Sequence, residues 1–324
     1  MRVTRPKTSL LARQQADLLV QWARRKRGEG AYNHQTLASL ARAWELSQLP
    51  AHLLEYLLFR RDLGRPLPQR WVGALQSGMA SLGERQLWLA KGLMAEACPG
   101  GHEAAMFATE NATLSRINQQ QPAWREAFAR WLEDQRAGKG VCLVGNSARL
   151  LGKGMGPSVD ERGAVVRFNR MVEPDPATVA DTGEKMDVWV MAPGYIGPVP
   201  QRVAWVVISG PDMRYRLQDW SVVAPLLEQG IPILTVPLSV WRYLVRQFQA
   251  PPSAGVLTLA WFNNLLQVPD WQGVSCVGIG AGLGKRERYH VASPDHKRNP
   301  RHNWFAEEAL VKRWQQQGLH ILAH

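Results

Sequence analysis

Six short apolar runs recur between residues 141 and 279, and helix-patterned stretches lie between several of them. They cover residues 141–145, 164–168, 186–191, 203–209, 232–236 and 274–279. Strands buried on both faces read as nearly continuous apolar runs, and strands alternating with helices build a mostly parallel sheet with helices on its faces. The second part of the chain is therefore expected to be α/β. Ligands of such sheets bind beyond the carboxyl ends of the strands. Gly145-Asn146-Ser147, Asn169, Pro193-Gly194 and the glycines of 278–282 all fall at or near that edge.

Residues 8–136 have a different texture and read as helical. Leu10, Leu11, Gln14, Leu18, Leu19 and Trp22 recur at helical spacing, and similar patterns occupy 36–47, 51–61, 70–81 and 86–97. Pro50, Pro66, Pro68 and Pro99-Gly100-Gly101 punctuate them. They show no consistent repeat period, so a helical cap or interaction module is the expected form. Ala137-Gly138-Lys139-Gly140 marks the expected boundary, giving a helical region 1–137 and an α/β domain 138–324.

Of the 324 residues, 45% are hydrophobic and 20% charged, which describes a globular protein. The net charge is +12, from 39 basic and 27 acidic residues. Residues 1–30 hold eight Lys/Arg and two acidic residues, and Arg24-Arg25-Lys26-Arg27 could touch anionic lipid or nucleic acid. A solvated basic helix end is the simpler reading. The basic residues lack the interleaved aromatics of an RNA-binding motif, so no nucleic-acid partner is expected. Cys98, Cys142 and Cys276 make neither a disulfide framework nor a zinc site. Cys142 and Cys276 sit in apolar runs and are expected to be free thiols. No apolar run approaches the ~20 residues that span a bilayer. Arg2, Arg5 and Lys7 precede only a short Leu-Leu-Ala stretch, a poor signal peptide. A reducing cytosol fits.

Three segments could carry chemistry. In residues 141–171 a strand breaks at Gly145-Asn146-Ser147, passes a glycine-rich turn, and leads to a second strand ending in Arg167-Phe168-Asn169. Such a turn can offer backbone N–H groups to a phosphate, and amides after two successive strands can read a base or sugar edge. It lacks the Gly-Lys-Ser/Thr ending of a P-loop, and a structural loop is an equal alternative. In Pro251-Pro252-Ser253-Ala254-Gly255, Ser253 suits a helix N-cap and Gly255 would let a ligand approach the first turn; an ordinary capped helix is the alternative. In His302-Asn303-Trp304-Phe305-Ala306-Glu307 a neutral imidazole could serve as a general base. Upstream, Arg286, Arg288, His290, His296, Lys297, Arg298 and Arg301 form a basic loop suited to a phosphate leaving group.

Taken in order, these segments resemble the sialyl motifs of the glycosyltransferase family 29 sialyltransferases. Gly145-Asn146-Ser147, Val159-Asp160, Arg167-Phe168-Asn169 and Asp181-Thr182-Gly183 resemble the large motif. Ser253 and Gly255 fall in the Ser-x-Gly positions of the small motif, and His302 and Glu307 in the His-x4-Glu motif. The resemblance covers about residues 141–310. It implies a single Rossmann-like domain of variant GT-A type that transfers sialic acid from CMP-sialic acid to a sugar hydroxyl, inverting the anomeric centre without a metal or other cofactor. It further implies that Gly145, Asn146, Ser147 and Asn169 bind the CMP portion. Ser253 and Gly255 would contact the donor, with Arg167, Asp181 and Glu307 in support. His302 would take the acceptor proton and His290 would support the departing phosphate, although Tyr289-His290 reverses the family's His-Tyr order. No Asp-x-Asp follows a strand; Glu173-Pro174-Asp175 comes nearest. Cys142 and Cys276 are displaced from the positions that animal members join by a disulfide. The chain looks like a bacterial, cytoplasmic relative acting on a glycan or glycolipid, with its basic N-terminus able to touch an anionic membrane. A Kdo-like donor and a catalytically silent nucleotide-binding scaffold are the alternatives.

Overall fold

The computed structural model describes residues 9–171, 175–211, 222–267, 271–279 and 299–322. It divides into two compact units.

The first unit comprises residues up to Ala112 with Val245–Pro251 and Pro300–His302. Its helices are α1 (Leu10–Gly28), α2 (His34–Ser47), α3 (Pro50–Asp62), α4 (Gln69–Gly78), α5 (Glu84–Ala97) and α6 (His102–Glu110). Ser9 and Asn33 cap α1 and α2, accepting from Ala12 N–H at 3.2 Å and Thr36 N–H at 3.1 Å. Pro50 opens α3, where its missing N–H costs nothing. α3 is almost wholly buried and contributes Leu53, Leu57 and Phe59 to the core. The two later segments are stitched to Tyr32, whose N–H donates to the Gln249 carbonyl at 3.0 Å and whose hydroxyl accepts from Arg301 Nη2 at 2.6 Å.

The second unit holds Thr113–Leu244, Pro252–Asn299 and Asn303–His324. Its elements are α7 (Ala112–Ala137, counted here from Thr113), β1 (Val141–Val144), α8 (Gly156–Asp160), β2 (Ala164–Phe168), α9 (Val179–Thr182), β3 (Val188–Met191), β4 (Trp205–Ile208), α10 (Ala224–Glu228), β5 (Ile233–Thr235), α11 (Leu238–Phe248, counted here to Leu244), α12 (Ala254–Leu266), β6 (Val274–Val277), α13 (Trp304–Gln316) and β7 (His320–Ile321). Among the described residues the strands form one sheet in the order β5-β4-β3-β2-β1-β6-β7, and every pairing is parallel. The α/β, largely parallel expectation holds. Central β1 pairs with both β2 and β6, setting Val141 beside Ala164 and Val274.

The boundary between the units falls at residue 112/113, not at 137/138. α7 belongs with the sheet because it supplies part of the sheet's core. Its Ile117 packs with Trp189, Met191, Val206 and Ile208. Its buried Gln121 donates to the Ile233 carbonyl at 2.7 Å and accepts from Thr235 N–H at 3.0 Å. Phe128 lies against Trp205, Trp261 and Phe262, with ring centroids 5.1, 5.4 and 5.7 Å away.

Cys142 and Cys276 are free and buried, and burial pushes their thiols up to about 11 and about 12. They cannot join. Cys276 stands beside Leu143 in the register, and neighbours in a strand point to opposite faces, so the two thiols lie on opposite sides of the sheet. Among the described residues no helix is long and apolar enough to cross a membrane.

Candidate active site

Strand order runs outward from β1 through β5 on one side and resumes with β6 on the other, so the sheet reverses between β1 and β6. Chains leaving the carboxyl ends of two such strands diverge to opposite faces and leave a crevice, the usual ligand position of a doubly wound sheet. Here β1 ends in Gly145-Asn146-Ser147 and β6 in Gly278-Ile279. The two ends close on each other through backbone alone. Gly145 N–H donates to the Val277 carbonyl at 2.8 Å. A Cβ on Gly145 would collide with the Gly278 carbonyl, and Gly278 itself has φ +67°.

Asn146 bridges to the next strand end, its Nδ2 donating to the Phe168 carbonyl at 3.3 Å. A carbonyl only accepts, so the amide orientation is fixed and Oδ1 faces the other way. That Oδ1 is buried and has no hydrogen-bond partner among the described residues. A buried acceptor left unmade costs about 1–3 kcal/mol, and such atoms in a crevice call for a donor from elsewhere.

Asn169 terminates β2 in the left-handed region, φ +51°, which asparagine tolerates better than most side chains. Its N–H donates to the Val190 carbonyl and its own carbonyl accepts from Trp189 Nε1, both at 2.9 Å. Its Oδ1 accepts from Ala192 N–H at 2.9 Å, tying the ends of β2 and β3 together. Half of the amide expected to read a ligand is thus committed to the scaffold, and Nδ2 is the half outside these bonds. Ser147 caps the 3₁₀ turn Ala148–Leu150, its Oγ accepting from Arg149 N–H at 3.3 Å.

The glycine-rich turn is not a phosphate cradle. Gly152 and Gly154, at φ +73° and +62°, point their N–H groups at the carboxylate of Asp181, each at 2.7 Å. Consecutive N–H groups in this geometry form an anion-binding nest, and the chain fills it with its own carboxylate. The bonds from Gly154 and then Gly152 hold the Asp181 carboxyl below its ordinary range. Asp160 does similar work nearby, accepting from Glu184 N–H and Lys185 N–H at 2.9 Å. Gly183, φ +72°, is required there because a Cβ would strike that carboxylate. Arg167, 3% exposed, donates from Nε to the Lys185 carbonyl and from Nη2 to the Thr182 carbonyl, both at 2.8 Å. Burial lowers its pKa, and nearby Asp160 opposes the shift. Asp160, Arg167 and Asp181 therefore brace the loops beneath the crevice.

Ser253 caps α12, its Oγ accepting from Val256 N–H at 3.4 Å. Its backbone N–H donates to Glu307 Oε1 at 2.7 Å and its hydroxyl to Glu307 Oε2 at 2.6 Å. Glu307 is 1% exposed, so the pair is a buried clamp between the starts of α12 and α13. Gly255 abuts Ile279: a Cβ there would lie 3.1 Å from its side chain. The glycine thus lets the first turn of α12 approach the end of β6, which is a packing role.

His302 belongs to the first unit. Its Nδ1 lies 2.9 Å from the Pro251 carbonyl. Since that oxygen can only accept, the proton sits on Nδ1 and the lone pair on Nε2. Burial lowers the imidazole's pKa, the bond to Pro251 raises it, and Arg301 lowers it; the net shift is down. The ring is therefore neutral near pH 7, the state a general base requires. Sequence reading did not anticipate Pro251 as the residue that sets this tautomer; the signal was a proline pair before a capped helix, whose carbonyls must find donors outside it. His290, Arg286, Arg288, His296, Lys297 and Arg298 lie outside the described residues, as do Glu173 and Pro174.

A doubly wound α/β unit with two asparagines, a capped helix start and fixed glycines at its strand ends defines a candidate small-ligand crevice. No protein-family model matches the chain, and no curated protein does. Two solved structures of a mammalian sialyltransferase, one in complex with Gal-beta-1-3GalNAc-ortho-nitrophenol, are similar to it. Each shares 19% identity at a TM-score of 0.42, over 56% of this chain and 68% of the other.

Proposed function

We propose that the chain is an inverting, metal-independent glycosyltransferase of variant GT-A type that moves sialic acid from CMP-sialic acid to a hydroxyl of a glycan or glycolipid, in the bacterial cytosol. The observation that carries this reading is the buried, unpartnered Oδ1 of Asn146 at the β1/β6 reversal. It is an acceptor waiting for a nucleoside N–H or O–H.

In this reading Asn169 Nδ2 donates to the same nucleotide, and the N–H groups of α12's first turn favour the anionic donor. Ser253 keeps that turn in place through Glu307. The acceptor oxygen bonds to the anomeric carbon as the bond from that carbon to the CMP phosphate oxygen breaks. The electron pair leaves with CMP, and His302 is the residue proposed to take the acceptor proton. His290 and its basic neighbours would stabilise the phosphate as charge develops on it. Arg167 and Asp181 act only by holding the loops.

The test is CMP release by the purified full chain, with CMP-sialic acid and CMP-Kdo offered in turn to a panel of glycan acceptors, with and without a chelator. Release from CMP-sialic acid, unaffected by the chelator, is expected. Preference for CMP-Kdo would move the donor assignment, and no turnover of either would favour a silent scaffold.

A further inference from the structure

The corner between α3 and α4 collects positive charge that no described carboxylate answers. No Asp or Glu occurs between Asp62 and Glu84, whereas Arg65 and Arg70 do, and Arg60 lies just before. Asp62 itself and Glu96 of α5 are turned to the buried Arg61, at 3.0 and 2.8 Å. Among the described residues no carboxylate pairs with Arg60, Arg65 or Arg70. The basic run at the end of α1 differs: Arg24, Arg25, Lys26 and Arg27 all reach Glu55 or Glu29.

Arg60 is half-buried and held from several sides. Its Nε donates to the Pro66 carbonyl at 2.5 Å and its Nη1 to the Tyr56 hydroxyl at 3.1 Å. Its guanidinium carbon lies 5.8 Å from the centre of the Tyr56 ring and 5.4 Å from that of Trp71. A carbonyl, a hydroxyl and two rings are all neutral, so the planar group is fixed in orientation while its charge stays whole. Nη2 stands outside these bonds. Exposed Arg70 lies over the same Trp71 ring at 4.9 Å, and Tyr56 meets that ring edge-on at 5.2 Å. Two guanidiniums are thus organised about one half-exposed indole.

We propose that this corner binds the phosphate or diphosphate group of a small soluble molecule, with Arg60 and Arg70 as its donors. Two guanidiniums at one ring call for a group with more than one negative charge, and their planar forks match phosphate oxygens. A carboxylate brings only one charge. The half-buried position of Arg60 favours a compact group over a long polyanion such as a nucleic acid. Every residue of the site belongs to the first unit, so the inference does not rest on the glycosyltransferase reading.

The test is a calorimetric titration of inorganic pyrophosphate into the full chain. The wild type is expected to bind it, and less tightly as salt rises. R70Q, which alters an exposed residue, is expected to keep its melting midpoint and to bind about tenfold or more weakly. R60K keeps the charge but loses the fork, and should weaken binding as well. R42Q removes an exposed arginine that Glu45 already pairs on α2, and should bind as the wild type does. No binding by the wild type would overturn the proposal, as would equal affinity in R70Q or an equal loss in R42Q. So would tighter binding of a single-stranded oligonucleotide than of pyrophosphate.

Discussion

Glu307 receives both protons that Ser253 can give, one from the backbone at 2.7 Å and one from the hydroxyl at 2.6 Å. Both oxygens of a nearly inaccessible carboxylate are thereby used, and the start of α13 is tied to the start of α12. Glu307→Gln keeps the shape but turns an amide NH₂ toward one of the two donors. The expected loss is about 1–3 kcal/mol of unfolding free energy. Ser253→Ala should cost less, and the two changes should couple by about 0.5 kcal/mol or more in a double-mutant cycle read by denaturant unfolding. Strict additivity would mean that the clamp is geometric only.

Gly145 and Gly255 should respond differently to alanine. At Gly145 the added methyl meets a backbone carbonyl that cannot swing away, that of Gly278. At Gly255 it meets the Ile279 side chain, which can shift. Overpacking of the second kind costs about 1–3 kcal/mol, and Gly145→Ala is expected to cost more than Gly255→Ala in the same unfolding assay. The reverse ranking would contradict the close approach of β1 and β6.

Asp181 sits at the surface, so its bonds to Gly152 and Gly154 are screened. Asp181→Asn should cost under about 1 kcal/mol while making the turn around Lys153 more open to protease. The sign with pH follows from a lowered folded pKa. The contribution is present above the unfolded carboxyl value of about 4 and is lost as pH falls through the folded one. The melting midpoints of wild type and Asp181→Asn should therefore converge in acid; a constant gap would show that the nest does not depend on charge.

Two histidines add a second pH dependence. Burial lowers the pKa of His302 and of His52, the latter opposed by Asp17. As pH falls past the ordinary histidine value of about 6.5, the unfolded chain takes up protons first, so stability declines through mild acid. His52→Gln should flatten that decline in a melting series from neutral to mildly acidic pH. His302→Ala should lower turnover by roughly 10²–10⁴-fold with CMP affinity retained. The acid limb of the wild-type rate should lie below the ordinary histidine pKa. Wild-type turnover in His302→Ala would remove it as the base.

Much of the sheet was legible because its strands are buried on both faces, which writes them as unbroken apolar runs such as 141–144 and 164–168. β7 was not, since two residues, one of them the exposed His320, carry no pattern. α7 hid its allegiance because Pro122 and a run of glutamines interrupt its periodicity, although buried Gln121 is the residue that joins it to β5. At the site, residue types pointed to the right edge of the sheet, but roles depended on partners far away in sequence. Nothing near Asp181 reveals that it fills the nest of Gly152 and Gly154, and nothing near Ser253 reveals Glu307.

The most direct test of the switch-point site is a calorimetric titration of CMP into the wild type and into Asn146→Ala. The unpartnered Oδ1 predicts that the variant binds CMP about tenfold or more weakly, while losing little stability, since a buried unsatisfied acceptor goes with the side chain. Equal affinity for CMP in the two proteins, or no CMP binding by the folded wild type, would contradict the account.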